Sequence, residues 1–437
     1  MIEKTIEIAD AGLRFHILKT DKFKMSRLSL NFILPADVER SPVTKLMLAT
    51  MMRGCERYPS VVAINRRLDE LYGATVTTRA VSVGERHVFR ISSEFLSDRF
   101  RFDGDGESVA LSVCDVIMEI LFRPILDDKG LLSESNFKSE KKLAVDSVKA
   151  LINDPKAYAA KKCSKLTFGD DPMGISTTGN VKQIESITLE AVSENIAYFL
   201  KNSVIECYYV GADDVNDVIS LISERFATLG RDKVALKGKE RALKRDVNAP
   251  IKALEESLNV SQARLNIGLV CDTVMRDRDY YAMSVFNEIF GASSVSKLFI
   301  NVREKQSLCY YCYSSLSSAT GTMQIMCGIK SENREKAYTE IENQLQAMQR
   351  GAFDDDDIET AKRTMISGIL QTLDSPAAIT AFKFRRFLAD VEESVEEAIE
   401  RINSVSRDEI IKAANKVRFD CVYFLSGNEE EDEWEDE

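Results

Sequence analysis

The sequence predicts an α+β fold built from two homologous α/β sandwich domains with mainly antiparallel sheets. Three observations support this prediction. Alternating segments that are typical of half-buried strands open each half, longer segments with helical period follow, and the second half repeats the order of the first. Runs of strands interrupted by pairs of helices are typical of α+β folds. A chain of 437 residues is long enough for two such domains.

The strands and helices of the first half follow from the spacing of apolar residues. Alternation of apolar and polar side chains predicts strands at residues 3–8, 12–18, 27–34, 74–82 and 86–93. The last two strands form a hairpin around Gly84. Helical periods predict helices at roughly 106–122, 132–151 and 188–200. In the second half, the acidic run Asp354 to Asp357 predicts a helix starting near Ile358, because carboxylates favour the positive end of the helix dipole.

The two halves match in the same order along the chain. The matching pairs are residues 30–34 with 265–269, Gly54 with Gly291, 153–155 with 374–376, 185–188 with 403–406, and 207–211 with 422–427. Chance similarity rarely keeps such an order, so the sequence predicts an internal duplication. We expect a first domain at 1–229, a polar, Lys-rich linker at 230–248, a second domain at 249–427 and an acidic tail at 428–437.

Composition excludes several classes of protein. A hydrophobic content of 44% and a charged content of 29% are typical of a soluble globular protein. No apolar run approaches the roughly 20 residues that span a bilayer, and the polar N-terminus does not resemble a signal peptide. We therefore expect a cytoplasmic location without membrane contact. No basic patch with interleaved aromatic residues predicts binding to nucleic acid.

Nine cysteines and an acidic terminus complete the composition. Cys309 and Cys312 have CxxC spacing, but no second CxxC completes a zinc site, so we expect them to pack as small apolar residues in a strand. Eight acidic residues lie between Glu429 and Glu437, and they supply two thirds of the net charge of −12. Such a tail is typical of a solubilising or docking segment.

Several segments resemble the insulinase-type (M16) peptidase family. In the first half they are Leu46–Tyr58, Leu68–Ala74 and Glu140–Asp154, and in the second half Gly291–Phe299 runs into Asn301–Tyr310. The last run, NVREKQSLCY, resembles the family's REK…GLAY-like signature and is the most specific match. The resemblance covers nearly the whole chain and implies two domains of the LuxS/MPP-like metallohydrolase type. Within the M16B branch, the chain looks closest to short bacterial members, described as inactive, whose name refers to modification of elongation factor P.

The chain departs from this family at the zinc site. Active members carry His-x-x-Glu-His on the first helix and a later Glu, and this set binds zinc and activates water. Registering the chain on Gly54 places Lys45, Leu48 and Ala49 at the motif positions, and registering on Glu140 places Ser147 at the last ligand. A lysine ammonium repels a dication, and Leu and Ala have no lone pairs.

Histidine is the commonest ligand of transition metals, and the chain has only two, His16 and His87. Neither has a second histidine within one helical turn. We therefore expect no zinc site of the family's type, no cofactor and no independent peptidase activity.

Two other family positions are retained. The resemblance implies that Arg303 orients the substrate backbone and that Tyr310 helps to hold the tetrahedral oxyanion. Without the resemblance, Arg303 would be a surface helix residue and Tyr310 a strand residue in the core.

Three functions stay open at this stage. The first is a catalytically incompetent M16B subunit that pairs with an active sister carrying His-x-x-Glu-His, or forms a homodimer, and contributes a chamber wall, Arg303 and Tyr310 to the processing of peptides or unfolded protein. The second is a non-enzymatic binding or scaffold protein, in which case the elongation factor P pathway is the candidate setting. The third is an enzyme with different chemistry that uses Lys45 as an amine or Cys55 as a nucleophile.

Overall fold

The computed structural model describes residues 2–102 and 106–427, so the acidic tail predicted at 428–437 lies outside the described residues. The described residues form two compact units, and each unit is discontinuous in the chain. Unit 1 lies within Met1–Lys149, Ile175–Lys239 and Thr372–Arg385, and unit 2 lies within Ala150–Gly174, Glu240–Gln371 and Arg386–Glu437. Unit 1 therefore includes residues 372–385 from the second half of the sequence, and unit 2 includes residues 150–174 from the first half. The contiguous boundaries at 1–229 and 249–427 remain a prediction about the duplicated copies.

Unit 1 contains a six-stranded sheet of mainly antiparallel strands. Its strands are β1 Ile2–Ile8, β2 Leu13–Lys19, β3 Met25–Pro35, β4 Thr75–Val83, β5 Arg86–Leu96 and β6 Val204–Gly211. Their order is β1-β2-β6-β3-β5-β4, and only the pair β2–β6 is parallel. The helices are α1 Arg40–Met51, α2 Val61–Glu70, α3 Val109–Phe122, α4 Glu134–Lys149, α6 Val181–Ser186, α7 Leu189–Asn202 and α8 Asn216–Ala227.

Unit 2 contains a five-stranded sheet. Its strands are β7 Lys252–Leu258, β8 Ala263–Val270, β9 Cys309–Ser317, β10 Thr322–Ile329 and β11 Arg418–Gly427, in the order β7-β11-β8-β10-β9. The other helices of the chain are α5 Pro155–Phe168, α9 Tyr280–Asn287, α10 Arg334–Gln349, α11 Asp355–Gln371, α12 Pro376–Ala389, α13 Val395–Ser404 and α14 Arg407–Ala414. Two π-helical segments, Glu288–Ala292 and Phe299–Lys305, precede β9.

The two sheets share one topology, which confirms the predicted α+β class with mainly antiparallel sheets. The strands β7, β11, β8, β10 and β9 occupy the places of β2, β6, β3, β5 and β4, and the parallel pair β7–β11 corresponds to the parallel pair β2–β6. The helix starts also correspond. Asp154 and Ser375 each accept a hydrogen bond from a backbone N–H three residues later, immediately before a proline that begins a helix.

The core of unit 1 explains why its strands alternate. One face of the sheet packs against helices and contributes Leu30, Phe32, Phe89 and Ile91 to the core, with α3 buried along most of its length. α3 begins at Val109 because Ser108 accepts a hydrogen bond from the N–H of Leu111. Side chains of the opposite face cannot reach this core, since neighbouring residues of a strand point to opposite sides.

In unit 2, helix α5 packs on the sheet. Its Ala159 and Cys163 form a buried cluster with Cys421, Tyr423 and Leu425 of β11. The segment 231–248 contains neither helix nor strand. In the part of the chain that the structure describes, no helix combines the length and the hydropathy needed to cross a membrane.

Candidate functional site

The three residues that the sequence register predicts at the family's zinc motif lie on helix α1. Its N-terminus is held by Asp37, whose side chain accepts hydrogen bonds from the N–H groups of Glu39 and Arg40 at 2.9 and 2.8 Å. Lys45 is exposed, and its Nζ donates to Thr178 Oγ1 at 2.6 Å. Leu48 is 4% exposed and belongs to the core of unit 1, while Ala49 is half-buried.

The fourth position, Ser147, lies on helix α4, which packs against α1. Arg53, just after α1, donates from its Nε to Glu140 of α4. Glu140 therefore forms an ion pair within unit 1. Ser147 itself is exposed. These side chains do not fit a zinc ion, which takes ligands from Cys, His, Asp or Glu. Across residues 2–102 and 106–427, no group of three or more such side chains could hold a metal ion.

Both histidines lie outside α1 and α4 and have hydrogen-bond partners. His16 on β2 is 2.7 Å from Glu206 Oε2 through Nε2 and 3.0 Å from Thr5 Oγ1 through Nδ1. The His87 ring contacts Ser41 Oγ at 2.6 Å and the carbonyl oxygen of Ile175 at 2.9 Å. Burial lowers the pKa of His87, so its neutral form is favoured in the folded chain.

The residues predicted to match the family's Arg and Tyr lie in unit 2. Arg303 is in the π-helical segment Phe299–Lys305, its side chain is 41% exposed, and its guanidinium carbon lies 4.6 Å from the centre of the Phe299 ring. Tyr310 is the second residue of β9 and is 58% exposed.

The alternative core role for Tyr310 is wrong, because a bulge in β9 leaves this residue without a cross-strand partner. Cys312 pairs with Cys327 and Tyr311 with Gly328, but the next pair is Cys309 with Ile329. Tyr310 is therefore an extra residue, and bulges re-aim side chains in this way. Its phenol is accessible to a substrate or partner.

The residues proposed for other chemistry are poorly suited to it. Cys55 is fully buried, and its burial raises the pKa of the thiol, which disfavours the thiolate that attacks an electrophile. Lys45 is exposed and donates to a threonine hydroxyl, so it lacks the apolar burial that activates a lysine nucleophile.

A polar sheet face in unit 1 was not recognised in the sequence. Cross-strand register forms two rows across six strands: Thr77, Ser92, Ser29, Tyr208, His16 and Thr5, and Arg79, Arg90, Asn31, Glu206, Arg14 and Glu7. The alternation that predicted the strands carries the signal, since Ser29 and Asn31 of β3 and Arg90 and Ser92 of β5 share one face, opposite the apolar core residues of the same strands. We call these two rows the polar face.

The polar face is a connected network. Arg90 Nε donates to Asn31 Oδ1 at 2.6 Å, Asn31 Nδ2 donates to the Glu206 carbonyl oxygen at 2.9 Å, and Arg14 Nε donates to Glu206 Oε1 at 2.8 Å. Burial, together with repulsion from neighbouring Arg27 and Arg79, lowers the pKa of Arg90 to about 10. The two outermost strands of this face are β1 and β4, and each has one edge without a partner strand among the described residues.

Comparison with known proteins places this geometry in a family. The model described as "Peptidase M16 inactive domain" matches residues 186–365. The chain is 32% identical over 420 residues to "Probable inactive metalloprotease YmfF" of Bacillus subtilis, with 96% of each chain covered. It is 21% identical to the mitochondrial-processing peptidase subunit beta of Saccharomyces cerevisiae, covering 69% of this chain and 67% of that protein.

Its fold is similar to the crystal structure of a conserved protein from Enterococcus faecalis V583, with a TM-score of 0.88 and 26% identity over 98% of this chain and 100% of the other. The chain belongs to the M16 metallopeptidase family, as a homologue of its inactive members.

Proposed function

We propose that this chain is a catalytically incompetent M16B subunit that works beside an active sister subunit carrying His-x-x-Glu-His. The observation that carries the proposal is a division of the family's residues. In the register that we propose, the zinc and base positions hold Lys45, Leu48, Ala49 and Ser147, whereas the residues matched to the family's Arg and Tyr, Arg303 and Tyr310, are accessible. An accessible Arg and Tyr without a metal suit a chain that completes a site on another polypeptide.

The chemistry divides between the two subunits. The sister supplies the zinc ion and the glutamate that activates water. This chain supplies the Arg303 guanidinium, which can donate in parallel to a substrate carbonyl, and the Tyr310 hydroxyl, which can donate to the oxyanion. A relative that is by name one subunit of a peptidase supports a division of this kind.

The substrate class follows from the edge strand of unit 1. An extended peptide can add to the edge of a sheet through main-chain hydrogen bonds. The edge strand β4 carries exposed Thr77 and Arg79 from the polar face. A peptide or unfolded segment with acidic side chains is the substrate that this edge favours, in a cytoplasmic setting.

The test combines the chain with its candidate sister. Pull-down identifies the pair, and metal analysis should find zinc in the sister and none bound stoichiometrically to this chain. A peptidase assay of each chain alone and of the mixture should give full activity only in the mixture. Substituting Arg303→Ala or Tyr310→Phe should lower kcat/KM of the mixture by about 10²–10³-fold, the usual effect of losing one oxyanion donor.

Arg363→Ala is a matched control, because Arg363 is 70% exposed on helix α11 and lies outside the retained signature. This variant should keep the activity of the mixture. If Arg303→Ala and Tyr310→Phe also leave the activity intact while the pair still forms, the shared-site proposal is wrong.

The second candidate function is that of a binding or scaffold protein. Its candidate setting is the elongation factor P modification pathway. The network of the polar face favours it, because such a face can bind a protein partner without any metal. A partner recovered without peptidase activity, whose binding is lost on Arg79→Ala and kept on Arg303→Ala, would favour the scaffold over the peptidase subunit.

A further inference from the structure

Three cysteines of unit 2 lie on one face of the sheet because of the bulge in β9. In a regular strand, Cys309 and Cys312 would point to opposite sides, since they are three residues apart. Here Cys312 pairs with Cys327, and Cys309 pairs with Ile329. Cys327 and Ile329 are two residues apart on β10 and share a face, so their partners Cys309 and Cys312 share it as well.

Burial differs among these three thiols. Cys312 and Cys327 are 2% and 0% exposed and belong to the core of unit 2. Cys309 is half-buried at the margin of that core, next to exposed Tyr310. The trio therefore has one accessible thiol and two buried thiols behind it.

The surroundings of Cys309 favour its thiolate. The neighbouring thiols of Cys312 and then Cys327, together with the positive charge of Arg303, lower the pKa of the Cys309 thiol, although burial acts in the opposite direction. The pKa values of Cys312 and Cys327 are raised instead, so they stay protonated and can donate. A low pKa combined with partial exposure is the pattern of reactive cysteines.

We propose that Cys309, Cys312 and Cys327 form a thiol-disulfide exchange site, in which Cys309 reacts with a small disulfide and Cys312 then closes an internal disulfide. The Cys309 thiolate attacks one sulfur of the small disulfide, forms a mixed disulfide and releases one thiolate. Cys312 then transfers its proton to a released thiolate and attacks the Cys309 sulfur, which expels the second thiolate. Two protein thiols are oxidised by two electrons, and one small disulfide is reduced to two thiols.

The other close thiol pair of unit 2 lacks an accessible member. Cys163 and Cys421 have their sulfur atoms 3.9 Å apart, but both are 0% exposed. Proximity alone therefore does not distinguish the trio. Its distinguishing features are the access at Cys309 and the bulge that turns this residue towards the other two.

The test uses the folded full-length chain and glutathione disulfide as the probe. After exposure, free thiols are blocked with an alkylating reagent, and the products are located by tandem mass spectrometry. We expect a Cys309–Cys312 disulfide in the wild type, and a stable glutathione adduct on Cys309 in Cys312→Ala. Cys309→Ser should react at least about tenfold more slowly, and the control Cys163→Ala should behave as the wild type.

Circular dichroism establishes that each variant is folded. Cys312 is buried, so Cys312→Ala could fail to fold. In that case the comparison of Cys309→Ser with the wild type still tests the proposal. Reaction of folded Cys309→Ser at the wild-type rate would overturn the proposal. A Cys312–Cys327 disulfide formed without modification of Cys309, or a folded wild type whose thiols all resist glutathione disulfide, would overturn it too.

Discussion

Replacing Leu48 with glutamate should destabilise the chain strongly, although glutamate is the residue that active family members carry at the matching position. Leu48 is 4% exposed on the inner side of α1 and packs in the core of unit 1. If the predicted register is right, a core residue occupies the position at which active members activate water. The zinc motif cannot be rebuilt on α1 without disturbing the folding of the unit.

The size of the effect follows from two contributions. Losing a buried leucine side chain costs about 1.5–3 kcal/mol. A buried glutamate with its pKa raised by about 3 pH units adds about 4 kcal/mol at neutral pH. The sum, about 6 kcal/mol, is comparable to the whole stability of many domains, about 5–15 kcal/mol.

The assay is urea unfolding followed by circular dichroism at several pH values, with Leu48→Gln as the matched control. The introduced glutamate has a pKa of about 4.3 when unfolded and a raised pKa when folded. Its charge penalty is therefore complete above the folded pKa and disappears as the pH falls towards about 4.3. Leu48→Gln should be destabilised without this pH dependence. A Leu48→Glu chain as stable as the wild type at pH 7 would refute the core assignment.

Three further predictions concern single side chains. Gly268→Ala should destabilise the chain by about 1–3 kcal/mol, because the added Cβ would collide with side chains of α5 and β11. Gly368→Ala lies in open space on α11 and should stabilise the chain by about 0.5–1 kcal/mol. Urea unfolding midpoints that rank the two variants the other way would contradict this packing. Burial tends to raise the pKa of Glu256, but the hydrogen bond from Lys162 and the Lys162 charge outweigh burial, so the pKa is lowered in the folded chain. The stability lost in Glu256→Gln should therefore be largest above pH 5 and vanish as the pH falls below this lowered pKa. Because burial lowers the pKa of His87, an NMR titration should find a ring pKa below about 6.5, the value in the unfolded chain. The free energy of unfolding should then decrease as the pH falls from about 6.5 to the folded pKa. A ring pKa above 6.5 would contradict the burial of His87.

Local patterns in the sequence predicted most of the secondary structure. The alternation at residues 27–34 and 86–93 predicted parts of β3 and β5, and the helical period at 132–151 predicted α4. These patterns are visible in sequence because each face of a strand or helix meets one environment, either core or solvent. The absence of histidine from α1 and α4 likewise followed from residue identities alone.

Register between distant segments could not be predicted in the same way. Cys327 was not singled out, because its partner Cys312 lies on another strand and the bulge at Tyr310 depends on how β9 and β10 pair. The same bulge exposes Tyr310, which its place in a strand-like run would have buried.

The sequence by itself therefore determined the duplicated α+β architecture and the M16 resemblance, and it predicted that the family's zinc ligands are absent. Only the tertiary structure decided that Leu48 belongs to a hydrophobic core, that polar residues of six strands share one face, and that Cys309, Cys312 and Cys327 share a face of the second sheet. The physical reason is that periodicity and residue chemistry act within one segment. Burial, cross-strand pairing and electrostatic contact are set instead by segments that lie far apart in the chain.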